Sequence, residues 1–331
     1  MLLKNWRNEN SVVCCHKYLV PVASVPDWKH VPSGGTGYRN HLYKQKRSET
    51  RYDELEDWFN EKIENPAAPA IEKIITDSLM TVEDWHKVIK FAVLQQLRTP
   101  AAFFDHVKTL HEVLPVIQRD VLAEAKEKLE RGELSIESEE PKGISKQDYP
   151  CMFSTIQDEE TDTVTIKLET APGRSTWLFD IKNMIDKIFS HAKRHKWTVI
   201  KPSKGFNWPI NDLALIRLSF KNAQNYTFGG GWDNPNGNLI LPLSPQHLMI
   251  TQIKSKSKMF KRGQRVDLEM TNLIRKIIAE SAFEFIYSKN KDDDLLKYRK
   301  RLVDLNEYNL RKKFWKKWDT LQSGLEDKFV R

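Results

Sequence analysis

The chain has 331 residues, with 53 Lys and Arg against 45 Asp and Glu, a formal net charge of +8 and a sequence pI of about 9.1. Charged residues at 30% and hydrophobic residues at 40% suit a chain that folds around a core, and they exclude both a disordered tail and a protein built of apolar membrane spans. Three cysteines, two of them the adjacent Cys14 and Cys15, exclude a disulfide scaffold at this size.

Lys4, Arg7 and Glu9 interrupt the stretch where a secretion signal needs an apolar run. The longest uncharged run, 234–253, holds three prolines and reads as strands and turns, not as a span. The expectation is a soluble, cytoplasmic protein with reduced thiols and no membrane partner. Residues 1–50 show no clear period and read as an irregular lead-in, with Ser33-Gly34-Gly35-Thr36-Gly37 a turn. From 52 to 75 Leu55, Trp58, Phe59 and Ile63 predict a helix broken at Pro66 and Pro69. Thr81 caps a helix over 82–97, apolar nearly all round and therefore central, with Glu83 and Asp84 in its first turn. Thr99-Pro100 opens another over 101–131, kinked at Pro115. The acidic, Ser- and Lys-rich stretch 133–150 reads as a boundary or loop.

Beyond it, period-two alternation over 163–168 predicts a strand, 177–195 a helix, and 197–201, 213–220, 239–243 and 248–253 further strands separated by Gly- and Asn-rich turns. Residues 266–287 read as an amphipathic helix, and 292–329 as helical with a phase shift near 306–309. The fold class is α+β. An N-terminal helical layer (51–131) lies on a central, mainly antiparallel sheet (150–255), a helix over 266–288 completes one compact domain (1–291), and a basic amphipathic helix (292–331) follows.

Several residues carry chemistry, each with a plainer reading beside it. Gln96 falls within the apolar wheel of the central helix and Arg98 closes the same turn. A buried amide demands partners, so the pair either serves a packing network or lines a site. Glu56 borders the buried side of its helix, where it can meet Arg98 or a histidine, while Asp57, Glu61 and Glu64 form a solvated face or a divalent-metal site. Cys14-Cys15-His16 lacks the paired-ligand spacing of structural zinc. Gly229-Gly230-Gly231 lacks the Lys-Ser/Thr of a phosphate loop and reads as a turn.

Lys254, Lys256, Lys258, Lys261, Arg262 and Arg265 are six cations in twelve residues without an acid. Lys193-Arg194-His195-Lys196 precedes Trp197, and Arg311, Lys312, Lys313, Lys316 and Lys317 interleave with Phe314, Trp315 and Trp318. Such segments are either solvated faces or sites for a phosphate backbone.

Taken in order, the helix from Glu56 to Glu64 ahead of Pro66, then Gln95-Gln96-Leu97-Arg98-Thr99-Pro100, a Trp-led strand and Asp212 lead to Leu241-Pro242-Leu243-Ser244-Pro245. Asn272 follows, in a helix ending at Phe285-Ile286-Tyr287-Ser288. Over about 15–288 this order resembles the bacterial family called domain of unknown function 4238. That family's opening His-Tyr-x-Pro element stands here as His16-Lys17-Tyr18-Leu19-Val20-Pro21, and of its Thr-Ser-Asp-Asn-Pro-Val stretch only Asp212 is kept. The resemblance supplies His16, Glu56, Gln96, Arg98 and Asp212 as positions of interest and no reaction.

Two function classes follow. One is a nucleic-acid-directed protein, a hydrolase of RNA or DNA with Glu56, Arg98, Asp212 and His16 as its polar site, a divalent metal as cofactor and the cationic segments holding phosphates. The other is an interaction module in which those residues form a buried network and 292–331 docks a protein partner or a second copy.

Overall fold

The computed structural model describes residues 2–37, 39–47, 50–52, 54–131, 151–158, 163–170, 172–254 and 260–327. The stretch read as a boundary, 133–150, lies outside them. The first elements are β1 (Val12–Lys17), β2 (Leu19–Val20), β3 (Lys29–Pro32), β4 (Gln45–Arg47) and β5 (Thr50–Tyr52). A long helical stretch comes next, α1 (Glu54–Phe59) and α2 (Asn65–Ile75) joined by a π-helical turn at Asn60–Glu64, then α3 (Val82–Leu97) and α4 (Pro100–Glu130). The middle of the chain supplies β6 (Cys151–Asp158), β7 (Thr163–Thr170), α5 (Arg174–Ala192), β8 (Trp197–Lys201), β9 (Ile210–Asn211), β10 (Ile216–Asn222) and β11 (Asn225–Phe228). The last third holds β12 (Gly237–Ser244), β13 (His247–Gln252), β14 (Gln264–Arg265), α6 (Leu268–Ser281), β15 (Phe285–Ser288), β16 (Leu302–Val303) and α7 (Leu305–Glu326). The class is α+β, and the strands pair antiparallel except β14 with β8 and β16 with β2. Two compact units emerge: Met1–Asn40, Asp57–Ala101 and Met184–Lys316 form the first, and His41–Glu56, Ala102–Asn183 and Lys317–Arg331 the second.

In the first unit a six-stranded sheet runs β11-β10-β12-β13-β8-β14 and a four-stranded sheet β3-β1-β15-β9. Ile200, Ile216, Leu218, Ile240, Leu248 and Ile250 of the larger sheet pack with Ile274, Ile277 and Ile278 of α6 and with Cys14, Tyr18 and Ile286 from the smaller one. Strand β12 is buried at every position, as a central strand covered on both faces should be. The same reason hides β1 from a period-two search: its four inner residues are all buried, so the lead-in read as irregular contains a central strand.

Pro66 and Pro69 do not break the helix. A proline ring clashes with the carbonyl four residues back, and just ahead of Pro66 the chain widens into the π-helical turn, where the Asn65 N–H reaches back to the Asn60 carbonyl. Thr81 caps α3 as expected: its Oγ1 accepts the Asp84 N–H at 3.1 Å while Asp84 accepts the Thr81 N–H at 2.9 Å. Val82 is 72% exposed and outside the core, whereas Val88, Ile89, Phe91, Ala92, Val93, Leu94 and Gln95 are buried. The helix expected over 266–287 ends at Ser281, and 285–288 is strand β15.

In the second unit Phe103 of α4 meets Trp177 and Trp318 edge-on, at centroid separations of 5.5 and 4.6 Å. Arg174, 1% exposed, binds Glu326 through Nε and Nη2 at 2.8 and 2.7 Å, and Asp319 and the His41 carbonyl through Nη1 at 3.0 Å each. The stretch expected to be helical from 292 instead opens with a 3-10 turn at Asp293–Lys297 and the short β16, its helix begins only at Leu305, and the phase shift expected near 306–309 falls within the first turns of that helix. Trp318 is buried, while Leu302, Leu305, Leu310 and Leu321 are exposed.

Candidate functional site

The pairing of β1 with β15 places Cys15 opposite Tyr287, His16 opposite Ile286 and Lys17 opposite Phe285. Side chains alternate across a strand, so Cys15, Lys17, Phe285 and Tyr287 share one face of the small sheet, while Cys14, His16 and Ile286 turn to the other. Asp212 follows β9 at the end of this sheet, and its carboxylate accepts three consecutive backbone N–H groups, from Phe283 at 2.8 Å, Glu284 at 2.6 Å and Phe285 at 3.1 Å. This is why α6 does not continue through 287: the amides that would extend the helix are turned toward Asp212. Burial pushes the Asp212 carboxyl up to about 6, against the pull of those three amides.

The turn held by Asp212 presents Glu284, 3% exposed, to Arg39 Nη2 at 2.5 Å and Arg311 Nη1 at 3.8 Å. Lys17 is half-buried beside them, its Nζ 5.4 Å from the Phe285 ring centroid and 4.8 Å from that of Tyr308. Burial holds the Lys17 ammonium below its ordinary pKa against the opposing pull of the Glu284 carboxylate, and the positive charges of Arg39 and Arg311 add to the lowering. Arg39 lies over Trp315 at 4.5 Å, Arg311 over Phe283 at 5.6 Å and Arg299 over Tyr18 at 4.1 Å, and Arg299 donates to the Ala282 carbonyl. Arg311 also binds Glu307 through Nε at 2.8 Å, so one end of the sheet gathers four cations around three carboxylates, each cation on an aromatic face. Such pairs hold a cation without neutralising it.

The other candidates are placed as follows. His16 is buried, with Nδ1 2.7 Å from the Asp27 carbonyl. A carbonyl only accepts, so Nδ1 carries the proton and Nε2 a lone pair, which meets no hydrogen-bond partner among the described residues. Burial lowers the His16 pKa and keeps the ring neutral. Cys15 has its thiol pushed up to about 12 by burial and the nearby Asp212, far from nucleophilic. Arg98 binds Glu64 at 2.8 Å and the side-chain carbonyl of Gln95, and the buried amide of α3 is Gln95 rather than Gln96. Half-buried Gln96 accepts the Trp232 indole N–H at 2.7 Å.

Arg98 and Asp212 are therefore committed to different partners, and Glu56 is exposed in the second unit. Lys254, Lys261, Arg262 and Arg265 are exposed, the two arginines donating to the carbonyls of Ser78 at 2.5 Å and Pro202 at 2.6 Å. Lys256 and Lys258 lie outside the described residues. Among the described residues no three of His, Cys, Asp or Glu are gathered so as to hold a metal ion.

A second polar chain sits at the Leu241–Pro245 motif. Ser244 Oγ is 2.9 Å from His247 Nδ1, and His247 Nε2 is 3.5 Å from Asp77 Oδ1. The likeness to a nucleophile–base–acid relay stops there. Ser244 Oγ also accepts the amides of Gln246 and His247 and is buried, so it closes the turn between β12 and β13.

Of the residues that build the cationic end of the small sheet, only Asp212 and Arg311 stand out in the sequence. Glu284 is a lone carboxylate between Phe283 and Phe285, a signal masked by the helical reading. Lys17 and Arg39 carry no signal in sequence, because only the sheet brings them to Glu284.

No curated protein and no solved structure matches the chain. No helix among the described residues is long and apolar enough to cross a membrane. The family described as protein of unknown function (DUF4238) matches residues 1–292, which include β1, Arg39, Asp212, Glu284 and β15 and stop short of α7, and the chain belongs to that family.

Proposed function

We propose that the protein binds nucleic acid through the surface formed by Lys17, Arg39, Arg311 and the first half of α7. The observation that carries this reading is a cationic surplus at one place: among the described residues Lys17, Arg39, Arg299 and Arg311 face three carboxylates, Asp212, Glu284 and Glu307. Exposed Lys312, Lys313 and Lys316 extend the same sign along α7 beside half-buried Trp315. A phosphate backbone is the common partner of such an array, and an aromatic among the cations suits stacking on a base. Binding rather than hydrolysis is the activity supported best. A hydrolase of RNA or DNA needs a carboxylate or imidazole facing the scissile phosphate, and here Asp212 holds three amides, Glu284 two arginines and His16 a position inside the fold.

Fluorescence anisotropy with labelled single- and double-stranded DNA and RNA, read over a salt series, tests this. Affinity falls with salt, and the charge reversal Lys312→Glu/Lys313→Glu/Lys316→Glu weakens it and lowers the slope of log K against log salt by about 2 to 3, at roughly 0.7–0.9 per phosphate contact. Absent or salt-independent binding for every nucleic acid refutes the reading.

A further inference from the structure

We propose that Lys17 is a nucleophilic amine that captures abasic sites in nucleic acid, its Nζ condensing with the sugar aldehyde that a lost base leaves behind. The inference rests on the nucleic-acid reading and names a substrate class for the same surface. It starts from what separates Lys17 from the cations around it. Arg39 is paired with Glu284, and Arg311 with Glu284 and Glu307. Among the described residues no carboxylate lies within ion-pair distance of Lys17 Nζ and no acceptor within hydrogen-bond distance; the rings of Phe285 and Tyr308 are its contacts, at 5.4 and 4.8 Å. Nζ is also absent from the polar atoms sealed inside the fold without a partner, so it opens to solvent from a half-buried stem.

An amine attacks a carbonyl only in its neutral form, which desolvation and neighbouring cations favour. Lys17 has both: its stem packs on the β1–β15 face, and the Arg39 and Arg311 guanidinium groups stand near enough to help burial lower its pKa against the pull of Glu284. Exposed Lys312, Lys313 and Lys316 lack that burial. The target follows from the chemistry of the polymer. Intact bases, sugars and phosphates carry no aldehyde, whereas loss of a base lets the sugar open and frees C1′ as one. The lone pair of neutral Nζ adds to C1′, the carbonyl oxygen leaves as water with one proton from Nζ and one from solvent, and a protonated imine remains. Its charge stays on the same nitrogen, so the rings that hold the ammonium hold the product. The side chains of Arg39 and Arg311, 27% and 39% exposed, are left to take the flanking phosphates.

The experiment uses the full-length protein and one labelled single-stranded DNA in three forms: intact, with a single abasic site, and with a tetrahydrofuran at that position, which lacks the aldehyde. Sodium cyanoborohydride reduces an imine to a stable secondary amine. Wild type then gives a covalent protein–DNA band on a denaturing gel with the abasic strand alone, and peptide mapping places the adduct on Lys17. Lys17→Arg keeps the positive charge and loses the band, because a guanidinium stays protonated and forms no imine. The mapping is made on the wild-type chain, so it decides the matter whether or not the variant folds. Anisotropy with the tetrahydrofuran strand reports binding apart from capture. Binding of that strand with no covalent band, a band that persists in folded Lys17→Arg, or an adduct on the α7 lysines or the N-terminal amine overturns this inference and leaves the nucleic-acid reading standing. Failure of all three strands to bind overturns both.

Discussion

Asp212→Ala tests the account of how the site is built. The carboxylate accepts three backbone N–H groups at 2.6 to 3.1 Å, and three bonds to a charged acceptor at about 1.5 kcal/mol each contribute between 4 and 5 kcal/mol. Burial outweighs them in the balance between the two protonation states, and the net is a carboxyl raised from its ordinary 3.8 to about 6, which at about 1.4 kcal/mol per pH unit favours the protonated form by roughly 3 kcal/mol. The alanine variant leaves the three amides without their acceptor and is less stable at pH 7. The sign with pH is more telling than the size. A carboxyl whose folded pKa lies above its unfolded value binds more protons folded than unfolded between the two, so its contribution falls as pH rises from about 4 to about 6. Urea unfolding of wild type and variant between about pH 4 and pH 7 gives a gap that widens toward acid, by up to roughly 3 kcal/mol. Groups present in both proteins cancel in that gap. A gap that narrows toward acid means that the amides outweigh burial and refutes the reasoning.

Three further outcomes follow from the geometry. Arg174→Ala strips Glu326 and Asp319 of a buried partner and costs about 3–5 kcal/mol in denaturant unfolding; Arg174→Lys recovers only part, since a single ammonium cannot reproduce the bidentate fork, and full recovery would contradict that argument. Iodoacetamide leaves Cys15 unmodified in the folded protein at about pH 8 and modifies it in guanidinium, because a thiol at about 12 is ionised to roughly one part in ten thousand there; mass-mapped labelling of folded Cys15 at the rate of the unfolded chain would contradict it. His16, His106 and His247 are held below 6.5 by burial, so they gain protons unfolded before they do so folded, and stability is lost as pH falls from 6.5 toward their folded values. Imidazole resonances of these three that titrate at or above 6.5 would contradict the burial argument.

What the sequence could disclose follows from the range over which each feature is encoded. The hairpin strands β10, β12 and β13 and the cap at Thr81 depend on neighbours a few residues away, and their patterns predict them to within a few residues. Strand β1 and the end of α6 depend on distant residues: β1 is buried on both faces because α6 and the larger sheet cover one side, and α6 stops where it does because Asp212, some seventy residues earlier, takes the next amides. A helical period through 287 is therefore a sound local reading overruled by a tertiary contact. The candidate site is of the second kind throughout. Arg39 and Glu284 are 245 residues apart, and Lys17 joins them only because it stands opposite Phe285 in the β1–β15 register. A slip of one residue in that pairing would turn Cys14 and His16 toward Arg39 and bury Lys17 against Ile286 and the apolar side chains of α6. The cost of an ammonium in that core fixes the register, and with it the face on which the cations meet.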